Sequence, residues 1–150
     1  MSELQVSAED SALIIILLPV YNGERFLASQ LDSILAQTWR HILIICRDDG
    51  STDASSQILA AYARSSPEKF RILDGQQGNV GASANFSLLM QNVVDAGYLA
   101  RGQDTYISLA DQDDIWYPEK LARCLEVMRR QERETPGLPV AVHSDLRVVA

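Results

Sequence analysis

The 150-residue sequence predicts an α/β fold: a mostly parallel sheet flanked by helices. Short apolar runs such as LIIILL (residues 13–18) and HILIIC (residues 41–46) have the pattern of strands buried on both faces. Between them lie segments whose apolar residues recur at helical spacing. Each apolar run also leads into a polar, glycine-bearing or acidic segment. In sheets of this kind ligands bind beyond the carboxyl ends of the strands, so those segments are where function is sought.

Residues 1–11 are polar and are expected to be a flexible N-terminus; residues 12–150 are expected to form one unit. Strand 13–18 is followed by Leu27, Leu31, Ile34 and Leu35, one face of a helix. Strand 41–46 is followed by a helix from about Asp53 to Arg64, with Ser51, Thr52 and Asp53 available as caps. A third strand covers residues 70–73, and Phe86, Leu89, Met90, Val93 and Val94 define a third helix. A fourth strand covers residues 105–109. Pro118 stands where a first helical residue belongs, and Leu121, Leu125 and Met128 give that helix its buried face. After PGLP (residues 136–139), the apolar residues 140–143 predict a last strand.

Composition narrows the function classes. A formal net charge of −7 argues against a nucleic-acid partner, which needs a basic face. It suits a cytoplasmic protein whose anionic ligands arrive with a metal cation. The longest apolar run, residues 12–20, is interrupted by Pro19 and falls short of the roughly 20 residues that span a bilayer. Glu3, Glu9 and Asp10, with no early Lys or Arg, do not form a secretory signal. Cys46 and Cys124 lack metal-ligand spacing and are expected to be buried, reduced thiols. His41 and His143 are expected to be structural.

Four segments follow the strands: PVYNGE (19–24), RDDGSTD (47–53), GQQGNVGASANF (75–86) and DQDD (111–114). In an extended chain Asp111 and Asp113 point to one side and Gln112 to the other. Two carboxylates on one side make a hard-oxygen site for Mg²⁺ or Mn²⁺, with a substrate diphosphate completing the shell. The plainer alternative is that Asp114 caps a helix and the other two are solvated. In the second segment Gly50 forms a turn and Ser51 or Asp53 caps a helix, which leaves Asp48 and Asp49 in excess. A carboxylate there could accept the N3–H of uracil or thymine. Tyr21 could lie against the base, or be only a half-buried loop aromatic. The third segment, with Asn79 and Gly81 as candidate substrate contacts, leads into a helix whose first amides could face an anion. It has neither P-loop nor GxGxxG spacing. Asp145 follows the last expected strand and is a further candidate for lining the same edge.

Together IIILLPVYNGERFLASQLDSILAQT, DDGSTD, NVGASANF and DQDDIWYPEKL resemble the inverting family 2 glycosyltransferases, most of all the rhamnosyltransferase-type members. The resemblance implies a GT-A fold whose N-terminal portion binds a UDP- or dTDP-sugar donor. It implies that Pro19, Tyr21 and Asp49 contact the base and that Asp111 and Asp113 form the DxD pair. By the same resemblance Asp113 binds the metal directly, and Asp111 contacts the ribose or reaches the metal through water. Trp116 and Pro118 match packing and turn positions. A basic residue common in the family just before the position of Asn85 is replaced here by Ala84. The family's catalytic base lies in a later segment with no counterpart in this chain, so no catalytic residue is assigned and the acceptor half is expected to be missing. The implied reaction is transfer of a sugar, rhamnose among the candidates, to a glycan or lipid-linked acceptor in surface polysaccharide synthesis. It would take place in the cytoplasm or at the inner membrane face. Two other readings stand beside it: a non-catalytic nucleotide-binding or interaction module, and a Mg²⁺-dependent phosphotransfer domain. The second needs a nucleophilic Asp directly after the first strand, where Pro19, Val20 and Tyr21 stand instead. An uncovered sheet edge also makes a homo-oligomer an expectation.

Overall fold

The computed structural model describes residues 11–75, 78–100, 102–145 and 147–148. Apart from Ser11, the expected flexible N-terminus lies outside the described residues. The elements alternate as foreseen: β1 (Leu13–Val20), α1 (Leu27–Leu35), β2 (Ile42–Asp48), α2 (Ser55–Ser65), β3 (Phe70–Leu73), α3 (Ala82–Asp95), a 3₁₀ turn (Tyr98–Ala100), β4 (Thr105–Leu109) and α4 (Lys120–Glu134). The four strands form one sheet in the order β3-β2-β1-β4, and every pair is parallel.

β1 is the central strand, and its alternating side chains feed two separate apolar layers. Ile14, Ile16, Leu18 and Val20 pack with Leu27, Leu31 and Ile34 of α1, Leu59 of α2 and Leu121 and Leu125 of α4. Leu13, Ile15 and Leu17 face the other way, onto Leu89 and Val93 of α3. The unbroken apolar run in the sequence therefore reflects burial on both faces, with period-two sorting between two helix layers. Parallel registers such as Ile16↔Ile44 and Ile16↔Ser108 bring the carboxyl ends of the strands to one edge.

Several boundaries differ from the sequence expectation, each for a physical reason. β1 continues through Pro19 to Val20, pairing with Arg47 and Asp48, because its neighbour β2 also runs on to Asp48. α4 begins at Lys120, so Pro118 sits in the preceding turn, where its carbonyl accepts the Thr38 N–H at 2.8 Å. Residues 140–143 form no strand: no described strand pairs with them, and apolar character without a ladder partner does not make a strand. Cys46 is buried, and burial beside Asp48 pushes its thiol up to about 12; Cys124 is only half-buried, since it lies on the flank of α4. His41, exposed, has its Nδ1 2.9 Å from the Ser11 carbonyl oxygen, a structural contact.

Ile16 is fully buried at the centre of the larger layer. Ile16→Ala is expected to lower unfolding free energy by about 2–5 kcal/mol, read as a reduced urea midpoint at unchanged slope.

Candidate functional site

The four segments beyond the strand ends are joined into one rim by hydrogen bonds between residues distant in sequence. The first and second segments meet through Asn22 and Gly23. The Asn22 N–H donates to Ser51 Oγ (2.9 Å), Asn22 Oδ1 accepts from the Thr52 N–H (2.8 Å), and the Gly23 N–H donates to Ser55 Oγ (2.8 Å). Asn22 holds φ 46°, a left-handed conformation that asparagine tolerates better than most side chains. Asp53 accepts the N–H groups of Ser55 (2.9 Å) and Glu24 (3.0 Å), while Glu24 accepts that of Ala54 (2.9 Å). The N-cap of α2 is Ala54 and not the expected Ser51 or Asp53; Asp53 accepts the first helical N–H from one position further out and ties it to the loop beside it.

The second and third segments meet through a buried ion pair. Arg47 donates to Asp49 Oδ1 at 2.7 Å, and the two residues are each 2% exposed. Arg47 also donates to Asn85 Oδ1 (3.2 Å) and to the Gly78 carbonyl (3.1 Å), and Asn85 Nδ2 returns a bond to the Arg47 carbonyl (3.2 Å). The Asp49 oxygens accept the N–H groups of Val80 (2.9 Å) and Gly81 (2.8 Å). The anion at the threshold of α3 is therefore the protein's own Asp49 carboxylate. Burial pushes that carboxyl up, but the bonds from Val80, Arg47 and Gly81, with the Arg47 charge, outweigh burial and hold it below the usual carboxylate range. A carboxylate offers about four acceptor positions, so one on Oδ2 is left. Asn79 and Gly81 are exposed, Gly81 at φ 86°, where a side chain would be strained. An open cleft is lined by Asp48, Gly50, Ile72, Leu73, Asp74 and Gly75.

The first and fourth segments meet through Gln112. Its Oε1 accepts the Tyr21 N–H at 2.9 Å, and its Nε2 donates to the Tyr21 carbonyl at 2.9 Å. Gly23 packs directly against this amide. Tyr21 is 46% exposed. β4 ends at Leu109 and residues 112 and 113 form a turn, so the acidic segment is not the extended chain expected from sequence.

α1 fixes that acidic segment from below. Gln30 is fully buried and Ser33 nearly so on α1, among its buried apolar residues, and Gln37, just past the helix end, is fully buried as well. Gln30 Nε2 donates to the Asp111 carbonyl (2.9 Å), and Ser33 Oγ accepts the Trp116 N–H (3.0 Å). Gln37 donates to the Tyr117 carbonyl (2.8 Å) and accepts the Leu121 N–H (3.0 Å). Trp116 is buried in the larger apolar layer, with Lys120 Nζ 4.1 Å from its ring centroid. The backbone of the acidic turn is thus held by neutral donors and acceptors, leaving its carboxylates outward.

Those carboxylates crowd one another. Desolvation, then the neighbouring Asp114 and Asp113, push the Asp111 carboxyl up, with Lys120 partly opposing. Asp111, Asp113 and Asp114 are all exposed. Among the described residues no group of three or more His, Cys, Asp or Glu converges to hold a metal ion. Two hard carboxylates with water and substrate oxygens suit Mg²⁺ or Mn²⁺, and a cation there relieves the repulsion at Asp111.

The chain matches Glycosyl transferase family 2 over residues 15–145. It belongs to that family. Among curated relatives, an uncharacterized glycosyltransferase of Nostoc sp. is 32% identical over 120 residues, covering 79% of this chain and 34% of the relative. The dTDP-rhamnosyl transferase RfbG of Shigella flexneri is 35% identical over 108 residues, covering 72% and 35%. The chain therefore spans about a third of the length of these relatives. Among solved structures, S. aureus TarS 1–349 in complex with UDP superposes with a TM-score of 0.59 at 20% identity, covering 78% of this chain and 32% of that one. The mannosyltransferase PcManGT from Pyrobaculum calidifontis, solved with GDP-Man and Mn²⁺, gives 0.60 at 17% identity, covering 75% and 31%. These likenesses show the fold, which is of GT-A type. No helix among the described residues is long and apolar enough to cross a membrane.

For this family 2 chain, the sequence reading named Tyr21, Asp49 and the acidic turn but missed Arg47, Asn85, Gln112 and the Gln30–Ser33–Gln37 row. The row alone carried a signal: two polar residues at i and i+3 on the apolar side of a helix, with a third just past its end. Arg47→Ala strands a buried carboxylate and should cost about 3–5 kcal/mol in urea unfolding. Because the folded pKa of Asp49 is depressed, its contribution is present above the unfolded value of about 3.9 and is lost as pH falls through the folded one. Stability measured from pH 5 downward should fall more steeply in the wild type than in Asp49→Asn.

Proposed function

We propose that the chain forms the nucleotide-sugar-binding part of a glycosyltransferase, corresponding to residues 12–150. The donor in this reading is a UDP- or dTDP-linked sugar, with rhamnose among the candidates. The acceptor is a glycan or a lipid-linked glycan of a surface polysaccharide, extended with inversion in the cytoplasm or at the inner membrane face. The observation that carries the reading is the single rim at the carboxyl edge of a GT-A sheet, where Tyr21, the Asp49 turn and the acidic turn are joined by direct hydrogen bonds. The name of the Shigella relative favours a dTDP-sugar, and the UDP and Mn²⁺ in the titles of the structural neighbours favour a nucleotide with a divalent cation.

In this reading the exposed Tyr21 ring lies against the base, with Pro19 beside it. The remaining acceptor position on Asp49 Oδ2 takes the N3–H of uracil or thymine, a hydrogen that cytosine lacks. Asn79 and Gly81 border the donor. Asp113 and Asp111 would hold Mg²⁺ or Mn²⁺. Such an ion, when bound, supplies positive charge that stabilises a departing diphosphate. The α1 brace keeps those two carboxylates oriented before ligand arrives, so less ordering accompanies binding. Removal of the acceptor proton is assigned to no residue of this chain.

Calorimetric titration with UDP and with dTDP, each with and without MnCl₂, tests the reading. Binding is expected to strengthen with Mn²⁺ and to lose that gain in Asp113→Ala. Wild-type protein that binds neither nucleotide under any of these conditions would refute it.

A further inference from the structure

We propose that Gln112 is a positioning residue that couples nucleotide binding to metal binding, by locking the acidic turn to the Tyr21 loop. The inference rests on the donor-site reading above and adds a role for a side chain that touches neither ligand in it.

The geometry is specific. A primary amide carries an acceptor oxygen and a donor nitrogen side by side, and Gln112 directs both to one residue, the N–H and the C=O of Tyr21, each at 2.9 Å. The two residues are 91 apart in sequence, so this pair closes a long loop and fixes the first segment against the fourth. Two antiparallel hydrogen bonds define both spacing and orientation, where one bond would leave a pivot. Gly23 leaves the room: a Cβ there would lie 2.5 Å from Gln112 Oε1 and 2.7 Å from its Cδ. The rest of Gln112's turn is held independently, since Gln30 takes the Asp111 carbonyl and Ser33 the Trp116 N–H. Gln112 is therefore not needed to build the acidic turn. What it alone supplies among the described residues is the side-chain tie between that turn and Tyr21.

A nucleoside diphosphate must contact the base side through Tyr21 and the metal side through Asp111 and Asp113 at once. With the tie intact, engaging one side leaves the other already in register. Without it each contact survives, but their mutual reinforcement weakens, because the second loop must then be ordered at a cost. Gln112 also carries no charge, so it makes the tie without altering the field that a cation meets between Asp111 and Asp113.

The test measures the ratio of UDP or dTDP affinity with and without MnCl₂ in the full chain, using whichever nucleotide the wild type binds. Gln112→Met keeps the length and removes both hydrogen bonds. Gly23→Ala leaves Gln112 in place but displaces its amide by contact. Each is expected to reduce the Mn²⁺-dependent gain by about fivefold or more. The double variant should reduce it no further, since both act on one tie. A melting temperature within a few degrees of wild type accompanies that result. A gain unchanged in Gln112→Met overturns the proposal, and so does an equal loss of affinity with and without Mn²⁺, the mark of a merely structural residue. Wild-type protein that binds neither nucleotide overturns the donor-site reading itself, and the coupling role with it.

Discussion

The parallel pairing of β1 on both sides is the constraint from which the rest of this molecule follows. Parallel strands all end at the same edge of the sheet, and each must be left through a loop that returns across a helix. Four loops with unrelated sequences are thereby delivered to one edge. A central strand in that position cannot expose either face, which is why β1 is apolar at nearly every position and divides its side chains between two helix layers.

Crowding four polar loops at one edge creates a second problem, the satisfaction of their backbone groups. The protein solves it mostly with neutral side chains. Asn22, Gln112, Gln30, Ser33 and Gln37 each bridge backbone groups of a different segment, in several cases using donor and acceptor together. Such bonds define distance and direction without the desolvation cost of buried charge. Asp53 and Glu24 do this with exposed carboxylates, and only at Arg47–Asp49, among the described residues, are full charges buried and compensated, by Val80, Gly81, Gly78 and Asn85. An ion pair so surrounded contributes less to net stability than its geometry suggests, but removing either partner leaves an uncompensated charge. Its effect is to seat the loop before α3 over the turn at Gly50.

The acidic turn shows the opposite economy. Its backbone is held from α1 and its Gln112 side chain is tied to the Tyr21 loop, while its carboxylates face outward. Burial and the repulsion of Asp114 and Asp113 together hold the Asp111 carboxyl above the usual carboxylate range. Lys120, drawn over the Trp116 ring, tempers that repulsion from one side.

From the sequence alone came the alternation of strands and helices, the buried character of β1 and β2, and the chemistry of each loop. These are local properties: periodicity, run length and residue type within a few positions. Tyr21, Asp49 and the carboxylates at 111 and 113 could be named because loops after strands in such a sheet share one edge. Tertiary structure alone decided which polar groups meet. Gln112 finds Tyr21 across 91 residues and Arg47 finds Asn85 across 38, and nothing within either segment names its partner. It also decided that residues 140–143 are not a strand, because a strand is defined by a neighbour's ladder and not by its own apolar side chains. Hydrogen-bond partnership depends on where distant backbone is brought to lie, and only the packed sheet and helices determine that.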